Sequence, residues 1–192
     1  MSRLKSKEMD LTVGNPFWSL LKFAIPVILG NLFQLFYTLA DSVIVGKTLG
    51  ADSLAAVGAT SIIIYFVFCF INGFTGGFGI CLGQRCGAKD EKGMRKSVAV
   101  STLLSIIFTI VLTLICCLLA HQILKWMQIP EDISSEAYDY MFVVLLGTGA
   151  TVFYNMISNM LRALGDSKTP LYFLVFSSVL NIFLDILFIV PF

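Results

Sequence analysis

Five long stretches without a charged residue alternate along the chain with short charged segments. They cover residues 23–40, 53–84, 97–124, 140–161 and 169–184. A helix needs about 20 apolar residues to cross the hydrocarbon core of a bilayer. Each stretch is near or above that length once Asp41 and Asp185 are included in the first and the last. The pattern predicts an all-α, polytopic membrane protein with five transmembrane helices, near residues 20–45, 54–78, 97–121, 138–161 and 171–190.

Composition and charge support a membrane location and indicate an orientation. The 192 residues are 57% hydrophobic and 13% charged, with a mean hydropathy of +0.88. Of the 13 lysines and arginines, only Lys47 and Lys125 lie on the side opposite the N-terminus. Because basic residues accumulate on the cytoplasmic side, we expect residues 1–16 to be a cytoplasmic tail of a multi-pass inner-membrane protein. The basic residues mark that side, and we expect no nucleic-acid partner.

The second stretch is rich in glycine at its inner end. No lysine and serine follow these glycines at the spacing of a phosphate-binding loop. We therefore expect no nucleotide or other cofactor. The spaced pairs Gly73/Gly77 and Gly83/Gly87 predict close approach between helices instead.

Two carboxylates lie inside predicted membrane helices. A carboxylate there costs about 2.5 to 3.5 kcal/mol on insertion scales, which suggests a functional role. Asp41 comes six residues before Lys47, and Asp185 comes six before Pro191, so each lies roughly 9 Å below the outer boundary. Asn181 is four residues from Asp185, on the same helix face. The three side chains could bind Na⁺ through oxygen ligands, or the acids could share a proton; the alternative is that each acid is satisfied separately by hydrogen bonds.

Polar side chains follow two of the predicted helices at helical spacing. Such stripes either line a cavity or join helices by hydrogen bonds. The weaker candidates for a substrate cavity are Asn31, Gln34, Thr38, Thr151, Asn155 and Asn159. Pro26 lies inside the first helix and predicts a bend or hinge there, because proline removes one backbone hydrogen bond.

Five features in order resemble the N-terminal part of the multidrug and toxic compound extrusion family of cation-coupled efflux transporters. They are Pro26 with Asp41, residues 45–58 (VGKTLGADSLAAVG), residues 83–90 (GQRCGAKD), residues 161–170 (LRALGDSKTP), and Asn181 with Asp185. The resemblance implies twelve helices in two six-helix lobes that work by alternating access. Five helices would form most of one lobe, so we expect a fragment that needs a missing C-terminal lobe for function.

The resemblance also implies an activity. It implies an antiporter, not an enzyme, that exports small amphipathic, preferentially cationic organic compounds in exchange for Na⁺ or H⁺, with Asp41, Asn181 and Asp185 as the coupling-ion site. One alternative is a lipid or polysaccharide flippase of the same wider fold group, which should have more cationic residues in its cavity. A remote alternative is an intramembrane aspartyl protease, but Asp166 lacks the Gly-x-Gly sequence that should precede it.

Overall fold

The computed structural model describes residues 15–48 and 50–189, and helices are the only regular structure in this part of the chain. In order they are α1 (Pro16–Thr48), α2 (Ala51–Gly87), α3 (Glu91–Trp126), α4 (Glu131–Leu146), α5 (Thr148–Ala163) and α6 (Lys168–Ile189). Most of the predicted tail over residues 1–16, and the predicted helix end at 190, lie outside the described residues.

Four of these helices, α1, α2, α3 and α6, are each long and apolar enough to cross a membrane. The pair α4 and α5 supplies a fifth span if it is counted as one bent helix. Within the most apolar windows of the four single helices, only 6% to 28% of the residues are buried inside the protein. The other apolar side chains face outward, where a soluble protein would need polar groups. The all-α, polytopic membrane fold is therefore confirmed.

The fourth crossing differs from the single helix expected near 138–161. It consists of two 16-residue helices that meet at Gly147 with a bend of 43°. The amide of Gly147 closes the last turn of α4 on Val143 O at 3.2 Å, and its carbonyl accepts the amides of Ala150 and Thr151 as α5 begins. Glycine lowers helix propensity, and Gly149 follows two residues later. Charge spacing alone does not reveal such a break.

The helices also extend beyond the predicted boundaries because charged residues occupy their ends. α3, for example, begins at Glu91 and ends at Trp126, whereas the apolar stretch predicted residues 97–121. A helix can continue into the interfacial region after the hydrocarbon core ends. Uncharged length therefore predicts the membrane-embedded part of a helix and not its full extent.

Helix α2 lies at the centre of a bundle formed with α3, α4 and α5. Its residues Val67 and Ile71 are buried in one core cluster with Ala120 of α3 and Met141 of α4. By contrast, α1 packs mainly on α6, where Gly30 faces Leu171 and Leu174. The protein therefore consists of a four-helix bundle and a separate α1–α6 pair, and a cavity lies between them.

The closest glycine contact between α2 and α5 is at Gly79. A Cβ atom at this position would lie 3.1 Å from the carbonyl oxygen of Asn159. Of the glycines expected to permit close approach, Gly73, Gly77 and Gly87 have nothing within 4 Å of such an atom among the described residues. Gly83 would make only ordinary contact, at 3.8 Å from Ala163. The sequence thus correctly indicated that α2 approaches another helix closely, but it did not single out Gly79 as the point of closest approach.

Candidate ion and substrate site

A cavity of about 500 Å³ separates the α1–α6 pair from α2 and α5. Most of the residues that line it carry an amide, hydroxyl or phenol group. The lining residues are Asn31, Gln34 and Tyr37 on α1, Phe68 and Asn72 on α2, Ala150, Thr151, Tyr154, Asn155, Ser158 and Arg162 on α5, and Leu174, Ser177, Ser178 and Asn181 on α6. A polar cavity of this size can hold a small organic molecule.

Several lining side chains donate hydrogen bonds to the backbone of their own helix. Asn72 donates to Phe68 O at 2.9 Å, and Asn155 donates to Thr151 O at 2.9 Å. These bonds use an amide nitrogen and leave the carbonyl oxygen of the same side chain free to meet a ligand. The local bonds hold the wall in place without closing it.

Four of the six predicted cavity residues line the cavity, namely Asn31, Gln34, Thr151 and Asn155. Thr38 does not line it, and its hydroxyl donates to Gln34 O within α1 at 2.9 Å. Asn159 does not line it either, because its amide donates to Thr75 Oγ1 on α2 at 3.2 Å.

The difference follows from helix geometry. Among the lining residues of α5, Thr151, Asn155, Ser158 and Arg162 follow at steps of four, three and four, which keeps them on one face. Asn159 is one residue past Ser158, about 100° further around the helix. Ser158 takes the cavity position instead.

The predicted ion residues lie at the end of the cavity marked by Asn181. Asn181 Oδ1 and Asp185 Oδ2 are both buried and have no hydrogen-bond partner among the described residues. Asp41 on α1 is close enough for the charge of Asp185 to act on it. Two helices thus bring two carboxylates and one amide into the same region, and their joint binding of one ion stays a prediction.

Tyr140 on α4 also lies within electrostatic range of Asp41. Nothing in the sequence pattern pointed to this neighbour, because Tyr140 stands at the edge of an apolar stretch, where an interfacial aromatic residue is common. The phenol is a hydrogen-bond donor and acceptor on a third helix. It places a group from the four-helix bundle beside the α1–α6 pair.

Among the described residues that line the cavity, Arg162 alone is charged. Its Nε atom is buried and has no hydrogen-bond partner among the described residues. Asp41 and Asp185 do not line the cavity, whereas Asn181 does and so connects it to the acids. The cavity is therefore electrostatically asymmetric, with a positive charge at one end and two carboxylates beyond the other end.

Helix α1 continues through Pro26 without a break in its assignment from Pro16 to Thr48. Pro26 is itself buried. The hinge at this residue therefore stays a prediction.

The fold and the cavity define a multi-pass helical membrane protein with a polar internal site that extends toward two membrane-embedded acids. The MatE family model matches residues 26–187. The chain belongs to this family, the multidrug and toxic compound extrusion family that its motifs resemble.

Individual relatives agree with this assignment. The chain is 36% identical over 183 residues to the probable multidrug resistance protein YpnP of Bacillus subtilis, a match that covers 95% of this chain and 41% of that protein. A solved structure of a MOP superfamily transporter from Pyrococcus furiosus superposes with a TM-score of 0.89 at 30% identity, covering 96% of this chain and 40% of that one. An outward-facing multidrug resistance MATE family transporter gives a TM-score of 0.86 at 29% identity, with 97% and 41% covered.

The chain spans about two-fifths of the length of the relatives it matches. The relatives and solved structures that it matches are multidrug resistance proteins and transporters and not enzymes, and neither the flippase nor the protease is favoured by these matches.

Proposed function

We propose that this chain supplies the ion-coupling part of a multidrug exporter in which Na⁺ or H⁺ moves against an organic compound. The observation that carries the proposal is the pair of buried, unpartnered oxygens on Asn181 and Asp185. A buried polar atom without a partner is destabilising by about 1 to 3 kcal/mol. A bound cation, or a proton on the carboxylate, removes that penalty.

The chemistry of the three side chains fits either coupling ion. Asp41, Asn181 and Asp185 offer only oxygen donors, which hard cations prefer. Two carboxylates near each other also resist ionising together, so that one proton bound between them is favoured. The choice between Na⁺ and H⁺ therefore depends on which species stabilises the site more.

The cavity is the proposed binding site for the exported compound. Its amide and hydroxyl wall, with Tyr37, Phe68 and Tyr154, suits amphipathic molecules that combine rings with polar groups. No carboxylate lines it in this part of the chain. A preference for cationic compounds would therefore depend on Asp41 and Asp185 beyond Asn181, or on a second lobe.

Alternating access would require that second lobe, which the resemblance implies and which we propose to lie elsewhere in the complete transporter. The inner-membrane location with a cytoplasmic N-terminus is part of the same proposal. It is supported by the basic residues in the helix ends that flank the α2–α3 and α5–α6 connections, which would all lie inside.

Ion binding by the 192-residue chain in lipid nanodiscs tests the proposal. We expect calorimetry with Na⁺, or a proton titration, to show one binding event that Asp185→Asn abolishes. Asp132→Asn, which changes an exposed acid in the first turn of α4, is the matched control and should leave it intact. Unchanged Na⁺ and proton binding in Asp185→Asn would refute the site.

In the complete two-lobe transporter, Asp41→Asn should abolish drug export driven by a sodium or pH gradient in vesicles. Asparagine keeps the size of the side chain but cannot ionise, so it cannot change charge during the cycle. Wild-type export rates at matched protein levels would show that coupling lies elsewhere.

A further inference from the structure

A second cavity lies far from the ion site, at the α2–α3 connection. It has a volume of about 580 Å³ and opens between the last turns of α2 and the first turns of α3. Its lining combines three basic residues with two serines and four apolar or sulfur-containing side chains, and with Asp90 and Gly93. These residues are Arg85, Lys92, Lys96, Ser97, Ser101, Phe78, Cys81, Val100 and Leu104.

Both walls of this groove change from charged to apolar in the same direction. Along α3, Lys92, Lys96, Val100 and Leu104 follow at steps of four, so they form one ridge. The ridge is cationic near the connection and apolar about 10 Å further into the span. On α2, Arg85 lies at the end of the helix and Phe78 lies two turns deeper.

The cationic end is partly held in place by the fold. Asp90 accepts the Gly93 amide at 2.9 Å and the Arg85 guanidinium at 3.0 Å. The first contact holds the pKa of Asp90 below its usual value, and Arg85 adds to that effect. Asp90 therefore stays ionised but is offset by Arg85, while Lys92 and Lys96 make no ion pair within the described part of the chain.

The apolar end is open to the surroundings. Val100 is 46% exposed and Leu104 is 41% exposed, whereas Ser101 at the groove floor is 4% exposed. Because α2 and α3 are long enough to span a membrane, this end faces the acyl chains and the basic end lies near the headgroups. The groove therefore changes from basic to apolar in the same direction as an anionic phospholipid changes from its negatively charged headgroup to its acyl chains.

We propose that this groove is a binding site for one anionic phospholipid, with its phosphate between Lys92, Lys96 and Arg85 and one acyl chain along Val100, Leu104 and Phe78. General attraction between basic loops and anionic membranes needs no groove. A specific site requires that the lysines lining the groove contribute more to lipid affinity than other basic residues at or beside the α2–α3 connection. The chain offers such residues in Lys89 and Arg95, which do not line it.

The test uses the 192-residue chain in a neutral detergent. It is titrated with dioctanoyl phosphatidylglycerol, with dioctanoyl phosphatidylcholine and with inorganic phosphate, and bound lipid is counted by native mass spectrometry. We expect one phosphatidylglycerol per chain, and much weaker binding of phosphatidylcholine and of phosphate. The double variant Lys92→Gln/Lys96→Gln should weaken phosphatidylglycerol binding on the order of 30-fold, since each basic residue contributes severalfold near an anionic headgroup.

The control is Lys89→Gln/Arg95→Gln, which removes the same charge from the same region, the α2–α3 connection and the first turns of α3. We expect its affinity to stay within about twofold of wild type if contact in the groove decides binding. Equal loss in both double variants would overturn the site in favour of general attraction. Equal affinity for phosphatidylcholine, or phosphate binding as tight as that of phosphatidylglycerol, would also overturn the assignment to an anionic lipid.

Discussion

Replacing Gly79 with alanine tests whether α2 and α5 are locked together at this point. The new Cβ atom would lie 3.1 Å, 3.3 Å and 3.4 Å from the O, Cβ and C atoms of Asn159. Two of these are backbone atoms, so they cannot move by a change of rotamer. The helices must separate by a few tenths of an ångström or shift in register.

The magnitude follows from the cost of adding volume to a packed interface. Overpacking destabilises by about 1 to 3 kcal/mol. Alanine also has a higher helix propensity than glycine, by up to about 1 kcal/mol. Gly77→Ala shares that gain and has nothing within 4 Å of its new Cβ atom. The difference between the two variants therefore isolates the packing contribution, and we expect Gly79→Ala to be less stable by about 1 to 3 kcal/mol.

Unfolding of the purified chain by sodium dodecyl sulfate, followed by helical circular dichroism, measures this difference. A second prediction sharpens it: Asn159→Ala should not rescue Gly79→Ala, because the O, C and Cβ atoms that meet the new methyl group remain in alanine. Equal stability of Gly79→Ala and Gly77→Ala would refute the close approach. Full rescue by Asn159→Ala would show that side-chain atoms beyond Cβ cause the strain.

Three further predictions concern substitutions at Thr75, Pro26 and Asp90. Thr75→Val removes the acceptor of Asn159 Nδ2 and should destabilise by about 1 kcal/mol in the same assay, whereas Thr102→Val, which loses only a local bond to Val98 O, should not. Pro26→Ala should lengthen α1, measured by spin-label distances between positions 20 and 38 in a background without native cysteines; an unchanged distance would mean that α1 is straight at Pro26. The amide hydrogen of Gly93 should exchange with solvent faster in Asp90→Ala than in wild type. In wild type, its protection from exchange should fall as the pH drops through the lowered pKa of Asp90, because only the carboxylate accepts strongly. Protection that does not depend on pH would contradict this.

The fold was largely predictable because membrane helices are specified by the absence of charge over a fixed length. That rule is local, and each of the five uncharged stretches lies within one described helix or, for the fourth, within the α4–α5 pair. It failed at Gly147, where the break is made by backbone flexibility and not by polarity. It also could not distinguish Gly79 from Gly77, since the difference depends on which face of α2 meets α5.

The sequence predicted which residues of a polar stripe line the cavity only to within about one residue, which corresponds to about 100° of rotation around the helix. Asn155 lines the cavity and Asn159 does not, although both follow Thr151 at multiples of four. A step of four advances the helix by 40° beyond a full turn, so that two such steps carry a side chain 80° away. The partner helix then decides the outcome, and here Thr75 captures Asn159. No property of α5 alone contains that information.

The depth of Asp41 and Asp185 predicts a shared ion site, and in the structure these residues lie on α1 and α6, which pack together. The apolar pattern alone does not require α1 to pack on α6, the first and last helices described, more than on its neighbour α2. That pairing brings Asp41 within electrostatic range of Asp185, near the end of the cavity that Asn181 lines. In the proposed mechanism, a cation or proton bound here offsets the repulsion between two acids on different helices. The cation or proton would thus bind more tightly to the conformation in which α1 and α6 are closest. Only such a difference in ion affinity between two conformations can couple ion binding to the shape of the cavity.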